Sequence, residues 1–191
     1  MTNLAIALVL ALQSAMPGTN QDRLKVVSED MVSVVNEEFR SATLKSDIRE
    51  AEALAMLAAV AVGESGLRKD IETCKTTGDG GRSVGLGQVM IGPNWKGYTR
   101  RQICNDRKIQ LRLSLHVIDL CWQRTHTPAG VFRCYTAGDP RKDSYSARHE
   151  LSMYSGISRN VYVYTNSQKL QTCYSDNRKL CTTSSAMACT L

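Results

Sequence analysis

At 191 residues, 42% of them hydrophobic and 22% charged, the chain is long enough for one domain with a substantial core plus an appendage, and its balance is that of an ordinary soluble globular protein. With 24 Lys and Arg against 18 Asp and Glu, the formal charge of +6 suits an anionic partner: nucleic acid, anionic lipid or an anionic wall polymer. Nucleic acid is the weakest of the three and is set aside as a partner, because aromatics are only 6% and no basic cluster is interleaved with them.

Residues 4–12 form an apolar run, Leu-Ala-Ile-Ala-Leu-Val-Leu-Ala-Leu, ending at Ala15-Met16-Pro17-Gly18. It is shorter than the ~20 apolar residues that span a bilayer. Two readings stand: a signal-like segment, which lacks a preceding Lys or Arg, or a helix packed on the domain or a partner, with peripheral membrane contact through 4–12 as one use. Thr19-Asn20-Gln21-Asp22 marks a helix start, after which Leu24, Val27, Met31, Val34 and Val35 repeat at helical spacing, with Glu29, Glu37 and Glu38 on the wet side.

Ser46-Asp47 is read as opening a second, more apolar helix. Leu54, Leu57, Ala58, Ala61 and Val62 sit at helical spacing, and the helix closes on Gly63-Glu64-Ser65-Gly66, with Gly66 available to stop it. A loop with Cys74 leads to the glycine-rich segment 78–90, GDGGRSVGLGQVM, expected as a loop or small hairpin. The run 92–97, GPNWKG, is a turn. Asn105 or Asp106 caps a helix whose buried face is Leu111, Leu115, Ile118 and Trp122. Thr127-Pro128 starts a short helix carrying Val131, Phe132 and Tyr135, which stops at Gly138-Asp139-Pro140. Val161-Tyr162-Val163-Tyr164 alternates like a strand, and a Ser/Thr-rich tail follows. The chain thus reads as mostly α, divided into an N-terminal segment 1–18, a domain over 19–155 and a Cys-containing appendage over 156–191.

Seven cysteines stand at 74, 104, 121, 134, 173, 181 and 189, none in a Cys-x-x-Cys pair, and the three His are scattered on what reads as helix surface or loop. A metal site and a cofactor are therefore not expected, and the glycine-rich segment lacks the Gly-Lys-Ser/Thr of a phosphate-binding loop. The cysteine count suggests an oxidising compartment with two or three disulfides and one thiol left over, against a set of buried free thiols. Sequence leaves the pairing open.

The residue with most chemical content is Glu64. A carboxyl between apolar walls at the negative end of a helix dipole has its pKa raised, and an acid still protonated near neutral pH is what general acid catalysis requires. The competing reading is a solvated helix end. Three pieces in order shift the balance: Glu64-Ser65 after an apolar helix, Gly85-Leu86-Gly87-Gln88, and Cys134-Tyr135-Thr136-Ala137-Gly138. Their order and spacing resemble the lysozyme-like lytic transglycosylases, over about residues 48–150, with Gly87 where that family usually has Met and Thr136 where it has Asn. A threonine still donates and accepts a hydrogen bond but lacks the reach and the amide fork of asparagine.

The resemblance implies a lysozyme-like α+β fold and cleavage of the MurNAc–GlcNAc β-1,4 bond of peptidoglycan glycan strands. Glu64 would serve as acid and then as base on the sugar's 6-hydroxyl, with Ser65, Gln88, Tyr135, Thr136 and Tyr145 as substrate-binding residues. Asp79, in Gly78-Asp79-Gly80-Gly81, looks also like the aspartate of goose-type lysozymes that helps place a water, which would make an inverting hydrolase; Met90 stands where those enzymes often have a further aspartate. Asp79 reads equally as turn chemistry. The context implied is a phage virion component delivered to the periplasm, favoured slightly by Met1, or a periplasmic or secreted enzyme, with virion tail or secretion-machine proteins as partners. A non-catalytic wall-binding or assembly module is the reading from a different class.

Overall fold

The computed structural model describes residues 2–90, 92 and 96–175, with side chains as far as Val163. The fold is mostly α, 70% helical and 3% strand, with eight helices among the described residues. The turn expected at 92–97, the side chains of Tyr164 and Cys173, and Cys181 and Cys189 lie largely or wholly outside those residues.

Helix α3, Glu50–Ser65, is buried without a break from Ala53 to Val62. A helix apolar on every side needs neighbours on every side. Helices α2 (Gln21–Arg40), α6 (Arg107–Thr125) and α8 (Tyr145–Ser175) supply them. Gly66 ends α3 in the left-handed region at φ 56°, its N–H returning to the Val62 carbonyl. Ser46-Asp47 does not open this helix. Its N-cap is Arg49, while the Lys45 and Ser46 amides donate to the Asp119 carboxylate at 3.1 and 2.9 Å and Asp47 accepts from Trp122 Nε1 at 2.8 Å. Capping-type residues are here spent on tertiary bonds to α6.

The other helix signals act locally. Asn20 Oδ1 caps α2 by accepting from the Arg23 N–H, Asp106 caps α6, and Thr127 caps α7 (Pro128–Ala137) with proline at its start. Glu38, expected on the wet side, is buried: Arg112 from α6 donates to it at 2.7 Å and His116 lies 3.2 Å away. His116 is accordingly interior rather than on a helix surface, paired across α2 and α6.

Helix α1, Asn3–Ala15, buries Ala5, Ala7, Leu8, Ala11 and Leu12 against α2 and α8, leaving Leu10 exposed. Most of the 4–12 run is thus used inside the fold, and no helix among the described residues is long and apolar enough to cross a membrane. The 161–164 segment is helical, not a strand. Val161 and Ile157 lie one turn apart in the core while Tyr162 and Val163 face outward, so burial at a spacing of four overrides β-propensity. The division at 155/156 therefore falls inside α8, whose continuation shares the same core as α1.

After α3 come the one-turn helix α4 (Lys69–Glu72) and a small antiparallel hairpin, β1 (Ser83–Val84) with β2 (Val89–Met90), paired Ser83 to Met90 and Val84 to Val89. Helix α5 (Arg100–Asn105) then leads into α6. Cys74 is bonded to Cys104, tying the loop before the hairpin to α5, and Cys121 to Cys134, tying α6 to α7.

Candidate functional site

Glu64 lies in the last turn of α3, half-buried. Burial raises its pKa; hydrogen bonding with Glu150 pulls the other way, and the Asp79 charge adds to the rise. The position of the turn that holds Glu64 is set by an ion cluster. Arg23 Nε donates to the Leu67 carbonyl at 3.0 Å, and its guanidinium pairs with Glu72 of α4. Lys69 and Arg107 also bind Glu72, at 2.9 and 3.2 Å, and Arg107 reaches Asp30 at 2.5 Å. Three helices thereby clamp the chain just past Glu64.

The hairpin is held by the start of α6. Gln110 of α6, only 1% exposed, accepts from the Leu86 N–H at 2.9 Å and donates to the Glu72 and Ile103 carbonyls, both at 2.8 Å. A buried amide with three bonds is well satisfied, so it fixes the hairpin's turn to α4 and α5. Gly87 has no room for a side chain: a Cβ there would meet Ser114 Oγ at 2.0 Å and Tyr135 Oη at 2.7 Å. Any side chain at this position would have to displace both groups.

Asp79 precedes the hairpin, in the left-handed region at φ 50°, and its carboxylate accepts from Ser83 Oγ at 2.7 Å. It thus has the turn role, and its charge also reaches Glu64. Gln88, at φ 46°, donates from Nε2 to the Gly85 carbonyl at 2.8 Å and lies over Gly78, where a Cβ would come within 2.4 Å of Gln88 Oε1. Tyr135 of α7 donates its hydroxyl to the Gly87 carbonyl at 2.8 Å. Burial raises its pKa well above the ordinary phenol value, Ser114 partly offsets that, and the charges of Glu64 and Glu150 add to it, so the phenol stays protonated. Glu64, Asp79 and Tyr135 are therefore one electrostatic neighbourhood.

The remaining expected residues are engaged elsewhere. The Ser65 hydroxyl is buried, donating to the Ala61 carbonyl at 2.6 Å and accepting from the Leu67 N–H at 3.1 Å, which makes it part of the helix end. Thr136 Oγ1 donates to the Phe132 carbonyl at 2.9 Å and lies 3.2 Å from Ser144 Oγ, joining α7 to the start of α8. Tyr145 is 78% exposed, its ring stacked on His149. Five residues of helix place it about 140° around α8 from Glu150.

Glu150 escaped the sequence reading. It is 1% exposed, and both its carboxyl oxygens are enclosed without a hydrogen-bond partner of standard geometry, while burial and the Glu64 charge push its pKa far above the carboxyl range. Two signals were in the chain. Ala147, Glu150, Tyr154, Ile157 and Val161 make a helical stripe that is apolar except for the acid. Gly63 interrupts a strong helix just before Glu64, and a Cβ there would lie 2.5 Å from Glu150 Cγ.

Among the described residues no group of three or more His, Cys, Asp or Glu is placed to hold a metal ion. No protein-family model, curated protein or solved structure matches the chain.

Proposed function

We propose that this chain cleaves the MurNAc–GlcNAc β-1,4 bond of peptidoglycan as a lytic transglycosylase of lysozyme-like fold, with Glu64 as its acid and base. The observation that carries the reading is the raised, half-buried Glu64 carboxyl at the end of an all-apolar helix, with a pinned hairpin and a protonated Tyr135 around it. In the first step Glu64 gives its proton to the glycosidic oxygen as the bond to the MurNAc C1 breaks. In the second the Glu64 carboxylate takes the proton of the sugar's 6-hydroxyl, whose oxygen closes on C1, so a 1,6-anhydro end forms and no water is consumed. One carboxyl serves both steps. Gln88 and Tyr135 would line the glycan; Ser65 and Thr136 would support the site through the backbone bonds they already make.

The influence of Asp79 on Glu64 favours a second reading, an inverting muramidase in which Asp79 activates a water. Two disulfides and the +6 charge accord with work on an anionic wall in an oxidising compartment, for a virion or a secretion system. Mass spectrometry of muropeptides from purified peptidoglycan tests all of this. Anhydro-muramyl ends are expected from the wild type, and a loss of roughly 10²-fold or more is expected from Glu64→Gln. Reducing ends would move the assignment to the hydrolase. No products from a folded wild type would sink the enzymatic reading and leave a wall-binding or assembly module.

A further inference from the structure

A buried carboxyl without a partner costs stability and calls for a reason. Glu150 has no partner in standard geometry: its oxygens are enclosed, its Cγ fills the space left by Gly63, and the group it interacts with, by charge and hydrogen bonding, is Glu64. The glycine that admits it also weakens α3, by about 1 kcal/mol relative to alanine. Two features that each destabilise the fold converge on one carboxyl beside the acid.

We propose that Glu150 is a positioning residue for Glu64, a buried neutral acid whose O–H donates a hydrogen bond to the Glu64 carboxylate as that carboxylate forms. The inference rests on the reading of Glu64 as the acid. When the Glu64 proton passes to the glycosidic oxygen, the electron pair of its O–H bond stays on Glu64, which becomes an anion away from bulk water. An O–H from Glu150 stabilises that anion without transferring its own proton. Glu64 then takes the 6-hydroxyl proton, and Glu150 is unchanged at the end. Apo geometry need not show this bond closed, since catalytic hydrogen bonds tighten as charge develops. The groups facing the pair are Asp79 from the hairpin side, which disfavours the Glu64 anion, and Tyr135 from α7, which stays protonated. Burial holds the Glu150 proton in place throughout the neutral range.

The test compares wild type, Glu150→Gln and Glu150→Met in the full chain, reading the side-chain carboxyl of Glu64 by ¹³C NMR titration. The amide of Glu150→Gln still donates, so Glu64 is expected to titrate near its wild-type value. Methionine keeps the unbranched Cγ against Gly63 but donates nothing, so the Glu64 midpoint is expected to rise by about one pH unit. Glu150→Met is also expected to melt no lower than wild type, because it removes a buried carboxyl that no hydrogen bond of standard geometry satisfies. Glu64 titrating alike in all three proteins would overturn the proposal, as would a fall in Glu150→Met. Should Glu150→Met not fold, a Glu64 midpoint in Glu150→Gln that departs from wild type by as much as one unit would overturn it, and an unchanged one supports it. The titration reads Glu64 without turnover, so absence of glycan cleavage in the wild type would remove the enzymatic reading and be told apart from a failure of the pair. If cleavage is present, the alkaline limb of the kcat profile should move up in Glu150→Met alone.

Discussion

Glu72 shows how one side chain can hold a site it never touches. Burial by itself would raise its carboxyl, but hydrogen bonds from Arg107, Lys69 and Arg23 outweigh that and hold it at about 2. Because the folded value lies below the ordinary one of 4.5, its contribution to stability is fully present above that value and is lost as pH falls toward 2. Glu72→Gln is expected to lower unfolding stability at pH 7 by about 2 kcal/mol, discounted for solvent near Lys69. Urea titrations of both proteins at pH 7 and pH 3 check this, and the gap should narrow at the lower pH. An equal gap at both would mean that shape, not charge, is what Glu72 supplies. At the same scale, the raised carboxyl of Glu64 was legible because it follows from a local pattern: apolar helix, acid, glycine stop. Glu150 was not singled out, since its meaning comes from an inter-helix approach through Gly63.

Among the elements, the helices with a strong cap and a regular apolar face were readable from local chemistry: α2 from Asn20, α6 from Asp106, α7 from Thr127-Pro128. Those that depended on distant partners were not. Ser46 and Asp47 carry capping chemistry but bind α6, and Val161-Tyr162-Val163-Tyr164 carries strand chemistry but joins α8 because only a spacing of four buries Ile157 with Val161. The hairpin is the weakest element by length, two residues a side, and is held from outside by Gln110 and by the Cys74–Cys104 bond. That bond closes a sequence separation of 30 residues spanning Asp79 and Gln88. Replacing both cysteines by serine is expected to cost about 3.6 kcal/mol in the chain-entropy account. Hydrogen exchange should show faster opening of the 78–90 amides, with α3 protected nearly as before; equal loosening of α3 would mean that the bond supports the whole fold.

For the whole molecule, the charge of +6 predicts association with an anionic wall polymer that weakens with salt. Sedimentation with purified peptidoglycan at rising NaCl should show bound protein falling several-fold between about 0.05 and 0.5 M, where screening shortens from beyond 10 Å to a few ångströms; salt-independent binding would place recognition in uncharged contacts instead. By itself the sequence determined the mostly α class, the caps at Asn20, Asp106 and Thr127, the glycine stops at 66 and 138, the buried apolar helix and the carboxyl at its end, because each depends on residues within two turns of one another. Only the tertiary structure decided that α1 belongs to the core and that the hydroxyls of Ser65 and Thr136 are committed to backbone. It alone placed Tyr145 outward, joined Cys74 to Cys104 and Cys121 to Cys134, and brought Glu150 to Glu64. Those outcomes depend on which helix faces meet, and local periodicity says which face is apolar but not what it will meet.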